Sequence, residues 1–173
     1  HDAGRCSYIP LHLGETPDYY RRFVAPVDVL VIKCCPADEN GFFNFGVANL
    51  WHRAIIERAK CVIVETSSTL PFVQGVENAV HVSEVDYIIE GDDSICPELP
   101  NPPPSDIDRA VAAHIAGAIR DGDCLQIGIG GMPNAVCSVL KDTGLRDLGI
   151  HTEMFVDGMV DLIEAGIVNG ARK

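Results

Sequence analysis

Basic residues are scarce in this chain. Lys and Arg number 13 against 25 Asp and Glu, a formal net charge of -12 over 173 residues. Neutralising phosphates needs a basic surface, so nucleic acid is not an expected partner. Anionic membranes are disfavoured on the same ground. A small anion held by backbone N–H groups stays open. Long apolar runs are also lacking: none approaches the roughly 20 residues of a membrane span. Nothing at the start resembles a signal peptide, and His1 reads as the interior of a longer chain. The seven cysteines form no CxxC pair, and no Cys/His spacing suggests a zinc site, so no metal is expected. Most of them sit in apolar runs and read as reduced core thiols of a cytoplasmic protein. Internal repeats are absent. What the chain does have is 47% hydrophobic residues, a composition that forms cores.

Those apolar residues fall into alternating elements. Residues 27–35 (VDVLVIKCC) are a continuous β-branched run, a buried strand. Residues 36–46 read as a loop. Residues 49–60 read as a helix with Trp51, Ile55 and Ala59 on one side, and 61–66 and 85–90 as further strands. Strand, helix and strand in this order suggest a βαβ unit with a parallel sheet. Five prolines between 97 and 104 then mark a boundary, since proline removes donors and forbids helix. Beyond it Ser105 is a predicted N-cap, with Asp106 and Asp108 in the first turn. The helix that follows spaces Ile107, Val111, Ile115 and Ile119 by four, one apolar face. Gly122 stops it. A strand at 123–129, a helix at 132–142, a strand at 148–153 and a helix at 156–166 complete the chain. Asp157 is the predicted cap of the last helix and Gly166 its stop. The organisation is α/β, with a first domain over 1–96, a linker over 97–105 and a second domain over 106–173.

Two places carry chemistry. Residues 128–136 (GIGGMPNAV) follow a strand and open a helix. A dinucleotide fingerprint would need a third glycine where Pro133 stands, and there is no G-K-[ST] for a P-loop. The physical content of the loop survives those exclusions. A strand, a glycine turn and a helix start leave N–H groups clustered and unpaired, able to hold an anion or an oxygen that becomes anionic during reaction. The alternative is a tight turn that needs positive φ. Asn134 then reads as a helix-terminal amide. The second place is Glu153, just past the strand LGIHT. In open parallel sheets ligands bind beyond the carboxyl ends of the strands. If the strands at 123–129 and 148–152 are neighbours, Glu153 and the glycine loop share one crevice. A carboxylate beside oxyanion donors suits acyl transfer; the alternative is a solvated glutamate at a strand end. His151 is expected to be a packed histidine rather than a base.

The succession LQIGIGGMPNAV and LGIHTEMFVDGMVDLIEAGIV resembles the acetyl-CoA hydrolase/transferase family. The earlier VDVLVIKCCPADENGFFNFGVA and VHVSEVDYIIE are similar to that family's first domain. The resemblance covers nearly the whole chain, and within the family it points to transferases acting on 4-hydroxybutyrate, butyrate or acetate. It implies two α/β domains of CoA-transferase type, each only partly present. It also implies that exposed apolar surface is to be expected. Glu153 would be the nucleophile, forming a glutamyl-CoA thioester. Ile129, Gly130 and Gly131 would supply a backbone oxyanion donor and contact CoA. Asn40, in the turn 38–41, and Asn134 are candidate substrate contacts, with a plain turn as the alternative for Asn40. His81 and Glu84 match the family without an assignable role. No permanently bound cofactor is implied; coenzyme A is substrate and covalent intermediate. The expected partners are an acyl-CoA, a carboxylic acid and further copies of the same chain. Hydrolysis with water as acceptor is the alternative reaction, and a fragment that binds CoA without turnover is another.

Overall fold

In the computed structural model, residues 4–172 are described. The chain divides into two compact units, His1–Pro97 and Glu98–Lys173. The fold is α/β. In the first unit the elements are α1 (Thr16–Phe23), β1 (Leu30–Cys34), β2 (Phe42–Asn44), α2 (His52–Ile56), β3 (Val62–Thr66), β4 (Ala79–His81) and β5 (Tyr87–Glu90). Strands β1, β3 and β5 form a parallel sheet in that order, with Ile32 opposite Val64 and Val64 opposite Ile88. Alternate residues point to opposite faces of a strand. Ile32, Cys34, Val62 and Val64 thereby meet Ile56 of α2 and the buried Phe43, Phe45 and Val80 in one core. The other face carries the Lys33–Glu65 ion pair at 3.2 Å and the exposed Val31. Edge strand β5 leaves Tyr87, Ile88 and Ile89 exposed.

The stretch expected as loop over 36–46 contains a strand. β2 pairs antiparallel with β4 through only three residues each, too few to show an alternating pattern. Asp38 builds the turn before β2: its Oδ1 accepts from the N–H groups of Asn40 (3.0 Å) and Phe42 (2.8 Å). The buried Asn44 ends β2. Its Nδ2 donates to Val73 O at 2.9 Å, and its Oδ1 accepts from Gly46 N at 2.9 Å and Val73 N at 3.2 Å. A buried amide with both ends satisfied fixes the 70–78 segment against the strand pair. His81 and Glu84 have structural partners. The His81 ring accepts from Ser83 N at 3.2 Å, and Glu84 forms a bidentate pair with Arg53 at 3.0 and 3.3 Å. Helix α1 was not expected from the sequence; Arg58 closes its carboxyl end by donating to Tyr20 O (2.7 Å) and Arg21 O (2.6 Å).

The second unit contains α3 (Asp106–Ala116), β6 (Cys124–Leu125), α4 (Gly131–Leu140), β7 (Gly149–Ile150) and α5 (Asp157–Glu164). Ser105 caps α3 as expected. Its hydroxyl accepts from Asp108 N at 3.2 Å, and the Asp108 carboxylate accepts from Ser105 N at 2.8 Å, a reciprocal box. The apolar face of α3 differs from expectation. Ile107 is 76% exposed, while Ala112 and Ala116 are the buried positions. Two alanines on one face let α3 approach α4 closely, and side-chain volume rather than hydropathy alone selects that face. Ile115 and Ile119 pack at its margin. Leu140, Leu148, Met159 and Leu162 are fully buried between the helices and the two short strands. Each such side chain contributes about 1.5–3 kcal/mol. The last helix is capped by Val156 rather than Asp157, and Asp157 occupies its first turn.

The cysteines do not all lie in the core. Cys34, Cys35 and Cys137 are buried, but Cys6, Cys96 and Cys124 are exposed. Burial, with Cys35 nearby as a lesser cause, pushes the Cys34 thiol up to about 12. Burial, and less strongly the Asp161 charge, pushes Cys137 up to about 11. No helix among the described residues is long and apolar enough to cross a membrane.

Candidate active site

The site begins with a strand pairing. β6 and β7 run parallel, with Cys124 opposite Gly149 and Leu125 opposite Ile150. Their carboxyl ends therefore open on the same side. His151 N donates to Leu125 O at 2.9 Å, one step beyond the ladder. From there the two segments part. One runs through 126–130 into α4, the other through 152–156 into α5. The crevice beyond parallel strand ends is where such sheets bind ligands.

The glycines on the first segment differ in kind. Gly130 has φ 119° and ψ 176°, a conformation essentially reserved for glycine. Gly128 has no positive φ, and a Cβ added there would meet nothing within 4 Å. Gly131 would bring a Cβ to 3.2 Å from Asp108 Oδ2. Gly130 is the N-cap of α4 and supplies no side-chain cap. Pro133 has no N–H to offer. The N–H groups of Gly131 and Met132 stand at the free helix end, without an acceptor among the described residues. The macrodipole adds partial positive charge at that end.

Glu153 sits on the bend between β7 and α5, exposed, and has no hydrogen-bond or ion-pair partner among the described residues. A cavity of about 510 Å³ opens beside it. Ile129, Gly130 and Asn134 form one wall, Met154 to Asp157 another, and Glu98 to Asn101 a third. Ile129, Gly130 and Asn134 are thus brought together. Glu153 and Gly131 flank this lining without joining it. Asn40 lies in the other unit, exposed on the Asp38 turn, so its backbone has a structural task there. His151 is exposed, not packed: it follows the last ladder bond, where the strand leaves the core.

A model of the acetyl-CoA hydrolase/transferase N-terminal domain matches residues 1–100. A butyryl-CoA:acetate CoA-transferase of Anaerostipes caccae is 47% identical over 96% of this chain and 38% of its own length. The chain belongs to the acetyl-CoA hydrolase/transferase family. A 4-hydroxybutyrate coenzyme A transferase of Clostridium kluyveri is 37% identical over 99% of this chain and 39% of its own. The crystal structure of a 4-hydroxybutyrate CoA-transferase from Porphyromonas gingivalis superposes with a TM-score of 0.84 at 41% identity, over 95% of this chain and 41% of that one. The chain spans about two fifths of the length of these relatives.

Two residues of this family member went unnoticed in the sequence. Thr152 Oγ1 lies 3.1 Å from Ile127 O and 3.0 Å from Met154 O. Asn101, amid the prolines, accepts from Asn134 Nδ2 and donates to Asp157 Oδ2 at 3.3 Å. It thereby joins the third wall of the cavity to the first turns of α4 and α5. No local pattern announces either contact. The one signal at Asn101 is an amide isolated between prolines, where a turn needs none. The cavity lining carries the carboxylates Glu98 and Asp157 and no basic side chain. No lining side chain would pair with a phosphate, whereas a thioester is compatible with the amides and apolar side chains present.

Proposed function

We propose that this protein transfers CoA between a short-chain acyl-CoA and a carboxylic acid, with butyrate, 4-hydroxybutyrate or acetate as the acids, through a thioester on Glu153. The supporting observation is the parallel pairing of β6 with β7, which sets the glycine loop and Glu153 past adjacent strand ends. The Glu153 carboxylate attacks the acyl-CoA carbonyl. The thioester C–S bond breaks, giving a mixed anhydride and CoA thiolate. The thiolate attacks the glutamyl carbonyl, releasing the first acid as its carboxylate and leaving Glu153 joined to CoA. The second carboxylate attacks that thioester, and the thiolate it frees attacks the new acyl carbonyl. Acyl-CoA leaves, and the Glu153 carboxylate is regenerated. Charge develops on a carbonyl oxygen at each attack. Backbone N–H groups around Ile129, Gly130 and Gly131 are its donors in this reading, and Asn134 contacts the acyl portion. Asn40 is kept as a candidate substrate contact on the strength of the family resemblance alone. A carboxylate is a weak nucleophile in water, so the crevice must exclude solvent and aim it. Coenzyme A is substrate, with no resident cofactor. A cytoplasmic homo-oligomer fits the reading.

The relatives named above are transferases, which favours a carboxylic acid over water as the acceptor. The test is incubation of the full-length protein with acyl-CoA, then borohydride, with activity and the mass of the Glu153 peptide followed together. Reduction of the thioester is expected to abolish activity and alter that residue. An unaltered Glu153 in an inactivated enzyme rejects the nucleophile assignment. Release of CoA at the same rate with and without acetate, and with no new acyl-CoA, identifies hydrolysis instead.

A further inference from the structure

Past the bond from His151 N to Leu125 O, no backbone hydrogen bond among the described residues joins the glycine-loop segment to the segment carrying Glu153. One side chain bridges them. The Thr152 hydroxyl is 3.1 Å from Ile127 O on the first segment and 3.0 Å from Met154 O on the second. A hydroxyl has a single proton, which these two carbonyls share. The acceptors differ in burial: Ile127 is 6% exposed and anchored in the core, whereas Met154 is 42% exposed on the bend. Thr152 therefore ties the exposed bend to a buried point two residues ahead of Ile129, and its bond to Met154 O spans Glu153. Threonine is also stiff at χ1, so the hydroxyl has few directions available.

We propose that Thr152 is a positioning residue for Glu153, setting the separation between the carboxylate and the oxyanion donors of the glycine loop. The inference rests on Glu153 being the nucleophile. Misplacing a reacting group by an ångström costs about a hundredfold in rate. Thr152→Val keeps the shape and removes the hydroxyl. In the full-length protein it is expected to lower kcat about 10- to 100-fold with KM for acyl-CoA little changed. Thr152→Ser keeps the hydroxyl and is expected to retain most of kcat. Thr152→Ala removes the hydroxyl a second way, should valine prevent folding, and is expected to behave as the valine variant does. Wild-type kcat in a folded variant without the hydroxyl overturns the proposal. So does a serine variant as impaired as the valine one, or a loss confined to KM. Glu153→Ala, assayed in parallel, separates the two claims. An active Glu153→Ala enzyme rejects the nucleophile. An inactive one beside a fully active Thr152→Val rejects only the positioning role.

Discussion

Substituting Gly128 and Gly130 by alanine should divide stability from activity within three residues. At Gly130 the backbone stands at φ 119° and ψ 176°. An L side chain in that region costs about 1–3 kcal/mol. Nothing offsets this by contact, since the nearest atom to an added Cβ is Pro133 Cδ at 3.9 Å. Gly130→Ala should therefore lower the unfolding free energy by about that amount. At Gly128 the φ is ordinary and the added methyl meets nothing within 4 Å. Gly128→Ala restricts the unfolded chain and should leave stability unchanged or raise it by about 0.4–1 kcal/mol. If a substrate oxygen passes this backbone to reach the proposed donors at Ile129, Gly130 and Gly131, the same methyl stands in its path. Blocking access to one oxyanion donor then costs up to about 10²–10³ in kcat. The assays are urea unfolding followed by far-UV circular dichroism, and acyl-CoA turnover of the full-length protein. A stable Gly128→Ala enzyme with undiminished kcat refutes close approach of the substrate to this backbone. A Gly130→Ala protein with an unchanged midpoint refutes the conformational argument.

Gly158→Ala should destabilise through packing. An added Cβ would lie 2.6 Å from Cys137 Cβ and 2.9 Å from its Sγ. Overpacking costs about 1–3 kcal/mol, and the helix-propensity gain of at most about 1 kcal/mol does not cover it. A thermal midpoint at or above that of the parent contradicts this. Thiol labelling near pH 8 should modify Cys6, Cys96 and Cys124 in the folded protein and spare Cys34 and Cys137, whose thiols are buried and held at about 12 and about 11. Peptide mass mapping reads the pattern, and early labelling of Cys137 would show that α4 and α5 do not stay packed. The Asp108 carboxyl is held below its ordinary 3.8, chiefly by the Ser105 hydroxyl and then by the Ser105 N–H. A carboxyl lowered on folding stabilises fully above its unfolded value, and that contribution fades as pH falls through the lowered folded one. Helix content of the second unit should therefore drop on acidification below about pH 4, and Asp108→Ala should be less stable at neutral pH with a shallower acid limb. Identical acid limbs would remove Asp108 from the account.

What the sequence revealed of the site, and what it hid, follows from the range of each interaction. The strand around Leu125, the glycine turn and the strand before Thr152 are marked by apolar runs broken by glycine. The alternation with helices leaves the neighbourhood of β6 and β7 as a condition, and the parallel pairing meets it. The α3 face misled because spacing by four identifies a stripe without identifying its neighbour; Ala112 and Ala116 are buried because α4 passes close by. β2 and β4 are three residues each and exist through their pairing, which no local window contains. The glycines make the same point within a single motif. Gly130 is demanded by φ and Gly158 by the Cys137 side chain across a helix contact. No packing or φ requirement of the described chain demands Gly128. Only the first kind of demand acts within the local chain. Glu153 resists local reading for the opposite reason. It is exposed and unpartnered, so nothing in its own surroundings distinguishes it from a solvated surface glutamate. Its candidacy comes from position: the end of one parallel strand, beside a helix start whose N–H groups are free, with Thr152 tying the two segments together. In the proposed role the free Glu153 carboxylate is open to a substrate carbonyl, and its support lies on a neighbour, the Thr152 hydroxyl, rather than on its own side chain.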